Sequence, residues 1–240
     1  MKNLEWIRTE YFAHRGLHNK VYPENTLGAF KNAVKYEFDI ELDIRLSKDQ
    51  QVVVFHDQNL LRLCDENLNV DEVTFEDLRK YPIHKTNERI PLLQEVLDTL
   101  PKETKYLIEL KTVKNPKVFV SIFISFMKEY DTTYAVHSFD PRIINEFRKQ
   151  DPSIIRGQIA STFKGKSLFA KLLVKNLHTN IITKPDFTNY RFEDLPRKKL
   201  DKLHSKGHIV ISYVAKNEKN LNYVRSRYDN AVFENFIPTK

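Results

Sequence analysis

Strand-like and helix-like segments alternate along nearly the whole 240-residue chain, and this restricts the fold more than any other feature. Strands are predicted over 10–15 (EYFAHR), 38–46 (FDIELDIRL), 51–56 (QVVVFH), 105–111 (KYLIELK), 132–139 (TTYAVHSF), 154–160 (IIRGQIA), 180–184 (NIITK), 208–214 (HIVISYV) and 231–237 (AVFENFI). Helices are predicted over 26–36, 92–100, 116–130, 141–149, 167–177, 198–205 and 218–227. The helix at 141 opens with Asp140-Pro141, a cap and a first-turn proline. Only Ser47-Lys48-Asp49-Gln50 separate the second and third strand segments, so they count as one bent strand region or as a strand with a hairpin arm. That leaves eight β-units with helices between them. Repeated βα units call for a parallel sheet, and eight of them for an α/β fold of the closed TIM (β/α)8 barrel type, with an open doubly wound sheet as the second choice. Residues 58–90 fit no βα unit and are expected to form a small insertion after the second strand region, with a short helix near 74–80. The whole of 1–240 is expected to be a single domain.

Within this frame the polar residues of the strands carry the information. In 38–46 apolar and polar residues alternate strictly. Glu41, Asp43 and Arg45 share one face, and Ile40, Leu42 and Ile44 share the other. Helices cover the outside of a barrel and take the aliphatic face, so the carboxylates point inward. There they are costly unless paired or bound to a cation. The plain alternative is a solvated edge strand. Glu109 and Lys111 repeat the pattern on 105–111. Three carboxylates from two strands, Glu41, Asp43 and Glu109, suit a hard divalent cation, Mg²⁺ or Ca²⁺. His14 and His56 each close a strand, where barrels place their chemistry, and make an acid/base pair. Arg15 and Lys111 would face an anionic substrate, with phosphate the natural candidate.

His14-Arg15-Gly16, Pro23-Glu24-Asn25-Thr26, Glu41-x-Asp43, His56-Asp57 and Glu109-x-Lys111 follow one another in this order. Together they resemble the glycerophosphodiester phosphodiesterases. Ile90-Pro91-Leu92-Leu93-Gln94-Glu95-Val96-Leu97 and His137-Ser138-Phe139-Asp140 extend the resemblance through nearly the whole chain. It implies a TIM barrel with an inserted segment, His14 and His56 as acid and base, and Glu41, Asp43 and Glu109 on the metal. It further implies Arg15 and Lys111 on the phosphate, with an alcohol and sn-glycerol 3-phosphate as products. Glu24 and Asn25 either shape the mouth of the site or cap the first barrel helix. Tyr213 stands where the family usually has a Trp, and the last strand ends Phe233-Glu234-Asn235 where the family often has an Asp. A second reading on the same barrel is a phospholipase-type phosphodiesterase acting on lysophospholipids at a membrane surface.

Composition narrows the remaining classes. A share of 41% hydrophobic and 30% charged residues belongs to an ordinary folded protein. Cys64 is the single cysteine, so no intrachain disulfide forms. The N-terminal residues lack an apolar run of signal-peptide length, and 118–127 (VFVSIFISFM) is too short to span a bilayer, so the expected location is the cytoplasm. Roles in lipid and glycerol metabolism are what the family resemblance implies. The net charge of +7 comes with no nucleic-acid-binding motif, and no nucleic-acid partner is expected. The stretch 163–177 is amphipathic and carries Lys166, Lys171 and Lys175. It reads either as an outer barrel helix or as a peripheral membrane contact.

Overall fold

The computed structural model describes residues 2–162 and 177–239. In chain order the elements are α1 (Glu5–Thr9), β1 (Phe12–His14), α2 (Leu27–Lys35), β2 (Asp39–Leu46), β3 (Val52–Val54), α3 (Leu61–Cys64), α4 (Phe75–Leu78), α5 (Leu93–Thr99), β4 (Tyr106–Leu110) and α6 (Pro116–Met127). They continue with β5 (Tyr134–Ser138), α7 (Pro141–Gln150), β6 (Ile155–Ala160), α8 (Asn180–Thr183), β7 (Phe187–Arg191), α9 (Lys198–His204), β8 (Ile209–Ala215), α10 (Glu218–Arg227) and β9 (Asn230–Phe233). Eight parallel strands with helices between them give the chain the TIM (β/α)8-barrel fold class; β3 is the antiparallel exception. The predicted amphipathic segment 163–177 lies, but for Leu177, outside the described residues.

One compact unit comprises residues 12–111 and 125–134. In it β1 and β4 flank β2 in parallel, while β3 folds back on β2 as a hairpin arm. The hairpin is closed by Ser47, whose N–H donates to the Gln51 carbonyl at 3.0 Å. Ile40, Leu42 and Ile44 are fully buried on one face of β2, as the alternation requires. Residues of the expected insertion gather Val53, Phe55, Leu60, Leu63, Val70, Leu78, Ile83 and Ile90 into a core of their own. The short helix near 74–80 is α4.

The second unit comprises residues 1–11, 112–124 and 135–240. Its strands β5 to β9 pair in parallel and in sequence order. Asp140 caps α7, its carboxylate accepting from the Arg142 N–H at 2.9 Å. The segment 180–184 is a helical turn, not a strand, and the strand is Phe187–Arg191. Ile181 and Ile182 are 77% and 61% exposed, whereas Phe187, Thr188, Asn189 and Tyr190 are buried. The apolar run belongs to the surface, and the buried strand carries polar Thr and Asn, which hid it from a hydrophobicity pattern. Among the described residues no helix is long and apolar enough to cross a membrane.

Candidate active site

Strand register brings the first group of side chains together. His14 lies opposite Glu41 across β1 and β2, and Asp43 lies opposite Glu109 across β2 and β4. Residues two apart on a strand share a face, so Glu41, Asp43 and Glu109 converge. All three are buried, and each offers a carboxylate oxygen within 4.8 Å of the others. Lys111 is buried with them. Its Nζ lies 2.6 Å from Asp43 Oδ1 and 2.6 Å from Glu109 Oε1. The His14 Nε2 is 4.0 Å from Glu41 Oε2.

The turn after β1 delivers Arg15. Its backbone has a left-handed φ of 57°, and its N–H donates to Glu41 Oε2 at 3.1 Å. Its guanidinium reaches in two directions, with Nε 3.3 Å from Asp43 Oδ2 and Nη1 2.6 Å from Glu24 Oε1. Gly16 is required at the next position. Its φ is 77°, and a Cβ there would stand 2.8 Å from the Ala29 carbonyl carbon. Asn25 is fully buried and grips Asp43 twice. Its Nδ2 donates to Asp43 Oδ2 at 2.8 Å, and its Oδ1 accepts from the Asp43 N–H at 3.2 Å. The alternative role for Glu24 and Asn25, capping the first barrel helix, is not what they do. Thr26 caps α2, its Oγ1 accepting from the Ala29 N–H.

Charge sets the chemistry of this group. Burial pushes the Glu41 carboxyl up, and the negative charge of Asp43 adds to it, so that despite His14, Arg15 and Lys111 it sits at about 7. Burial opposes ionisation of Asp43 as well, but Lys111 and Arg15 outweigh it and hold Asp43 well below the usual carboxylate range. Three buried carboxylates thus face two permanent cations. The donors are all oxygen, they lie within one coordination sphere's reach of each other, and burial together with the charge of Asp43 makes Glu41 resist ionisation. That combination fits a hard divalent cation.

His56 follows β3. Its Nδ1 is 2.6 Å from Asp57 Oδ1. Burial lowers its pKa to about 4, against the opposing pull of Asp43, so the ring is neutral near pH 7. Asp57 is held as a carboxylate, burial being outweighed by hydrogen bonds from Arg62 and His56. A carboxylate only accepts, so the His56 proton sits on Nδ1 and the lone pair on Nε2. Arg45, on the carboxylate face of β2, donates from Nε and Nη2 to the His56 carbonyl at 3.0 and 2.8 Å.

Sequence reasoning missed Arg62. It lies on α3 and donates to Glu24 through Nη1 and Nη2 at 2.9 and 2.7 Å, and to Asp57 through Nε at 2.6 Å. Its one signal was proximity, six residues beyond His56 on a short helix. In the second unit, Tyr213 packs edge-to-face on Phe139 at 5.7 Å and donates to the Ala160 carbonyl at 3.3 Å.

The comparisons with known proteins point to one family. The family model described as the glycerophosphoryl diester phosphodiesterase family matches residues 14–239. The chain is 30% identical over 216 residues to YhdW of Bacillus subtilis, to which glycerophosphodiester phosphodiesterase activity is ascribed, covering 86% of each chain. It is 36% identical over 135 residues to the lysophospholipase D GDPD1 of Rattus norvegicus, covering 51% of this chain and 42% of that one. An Oleispira antarctica phosphodiesterase, solved with the product sn-glycerol 3-phosphate, superposes with a TM-score of 0.80 at 20% identity, covering 95% of this chain and 93% of the other. With this match and its fold, the chain belongs to the glycerophosphoryl diester phosphodiesterase family and is an enzyme of that family.

Proposed function

We propose that this enzyme, as a single domain with residues 58–90 inserted, hydrolyses glycerophosphodiesters to an alcohol and sn-glycerol 3-phosphate with the help of one divalent cation. The observation that carries the reading is the convergence of Glu41, Asp43 and Glu109 with Arg15 and Lys111 on neighbouring strands.

Glu41, Asp43 and Glu109 would hold the cation, Mg²⁺ or Ca²⁺. When bound it supplies Lewis-acid polarisation of the phosphoryl group. Arg15 and Lys111 bind phosphate oxygens and take up charge as it develops there. His56, neutral and with its lone pair on Nε2, removes the proton from the nucleophile. His14 returns a proton to the departing alcohol oxygen. The nucleophile is the glycerol 2-hydroxyl, which leaves a cyclic phosphate for water to open, or water itself.

Similarity to a lysophospholipase D supports a second substrate class on the same site. Phosphorus NMR of product mixtures separates the two. Glycerophosphocholine and glycerophosphoethanolamine should yield sn-glycerol 3-phosphate with the wild type and none with His14→Ala. Lysophosphatidic acid released from lysophosphatidylcholine in preference to these would favour the second class. No release from any of the three would contradict the proposal.

A further inference from the structure

Two ion pairs meet at one guanidinium. Arg62 Nε donates to Asp57 Oδ2 at 2.6 Å, and the other oxygen of Asp57 is 2.6 Å from His56 Nδ1. The two terminal nitrogens of Arg62 take both oxygens of Glu24, and Glu24 Oε1 in turn accepts from Arg15 Nη1 at 2.6 Å. A continuous path of hydrogen bonds and ion pairs therefore runs from the imidazole of His56 to the guanidinium of Arg15, with Arg62 as its only joint between α3 and the turn after β1 among these contacts. We propose that Arg62 is a positioning residue, acting through Asp57 on the tautomer and orientation of His56 and through Glu24 on the placement of Arg15. The inference rests on the acid/base and phosphate roles proposed above.

A solvated surface pair would be the bland account, since Arg62 is 47% exposed and exposed ion pairs contribute little. The partners argue otherwise. Glu24 is 13% and Asp57 24% exposed, and each spends its second oxygen, or shares its first, on a proposed site residue. The fork is also chemically selective. Bidentate binding of Glu24 through both terminal nitrogens leaves Nε for Asp57, and only a planar guanidinium supplies all three donors at fixed angles. Lysine has one nitrogen and cannot hold both carboxylates in that geometry. The core that α3 rests on, with Leu60 and Leu63 buried, does not depend on Arg62, so its replacement leaves the fold in place.

The test has a spectroscopic and a kinetic arm. In protein labelled with ¹⁵N-histidine, with the His56 signals assigned by their loss in His56→Gln, wild type should show His56 protonated on Nδ1 at neutral pH. Arg62→Ala and Arg62→Lys should shift it towards the Nε2–H form. In product release, both variants should lose about 10- to 100-fold in kcat, the range typical of residues that orient a reacting group. Asp57→Asn combined with Arg62→Ala should be much less severe than the product of the two single losses. An unchanged His56 tautomer in Arg62→Ala, full rescue of kcat by Arg62→Lys, or fully multiplicative losses would each overturn the proposal. If wild type releases no sn-glycerol 3-phosphate while the tautomer shifts as expected, the functional reading fails and the positioning of His56 stands.

Discussion

The Lys111 ammonium lies 2.6 Å from Asp43 Oδ1, and both residues are buried. Breaking a buried pair leaves an uncompensated charge, which costs about 3–5 kcal/mol. Lys111→Met should therefore lower stability by about that amount, seen as a fall in the urea midpoint, and should abolish product release. Added Mg²⁺ or Ca²⁺ should recover part of the midpoint, because Asp43 and Glu109 would again have a positive partner.

Asn25 tests whether Asp43 is held from behind. Its side chain makes both hydrogen bonds to Asp43, and its backbone has a left-handed φ of 57°. Asn25→Ala loses two buried hydrogen bonds at about 1 kcal/mol each and a residue suited to that backbone, for a total of about 2–4 kcal/mol. Urea denaturation measures the loss. Cation titration should show affinity reduced about tenfold, since the carboxylate is no longer fixed.

The pH dependence of the rate should change with cation concentration. Glu41 sits at about 7 without a cation, and it must lose its proton to take one. At limiting cation, the rate should therefore fall as pH drops through about 7. Saturating cation competes with that proton and moves the fall to lower pH, towards the value of about 4 at which His56 gains its proton and ceases to accept one. Rate profiles at two cation concentrations check this. An acid limb that stays in place would contradict it.

Gly157 separates stability from chemistry. A Cβ there would stand 2.2 Å from the Phe187 ring. Gly157→Ala should cost about 1–3 kcal/mol by overpacking. The melting temperature should fall, with kcat and KM for glycerophosphocholine retained below it.

Much of this was legible in the sequence because strand periodicity and chemistry coincide. Alternation over 38–46 put Glu41 and Asp43 on one face, and Glu109-x-Lys111 repeated the pattern one parallel strand away, where Asp43 and Glu109 prove to be partners. Strand 187–191 was not legible, because its buried positions include Thr188 and Asn189 as well as Phe187 and Tyr190, while Ile181 and Ile182 nearby are exposed. Nor was Arg62, nor the part played by Asn25. Both act through contacts between segments distant in the sequence, Arg62 with Glu24 and Asn25 with Asp43. Periodicity reports a face and not the partner across it.

The most direct test is the rate of sn-glycerol 3-phosphate release from glycerophosphocholine by chelator-treated protein as Mg²⁺ or Ca²⁺ is added back, for wild type and for Glu109→Gln. The predicted result is no release without cation, a saturating rise with it, and half-saturation at least about tenfold higher in the variant. Full activity in chelator, or a Glu109→Gln titration that overlies the wild type, would contradict the assignment of Glu41, Asp43 and Glu109 as the cation site.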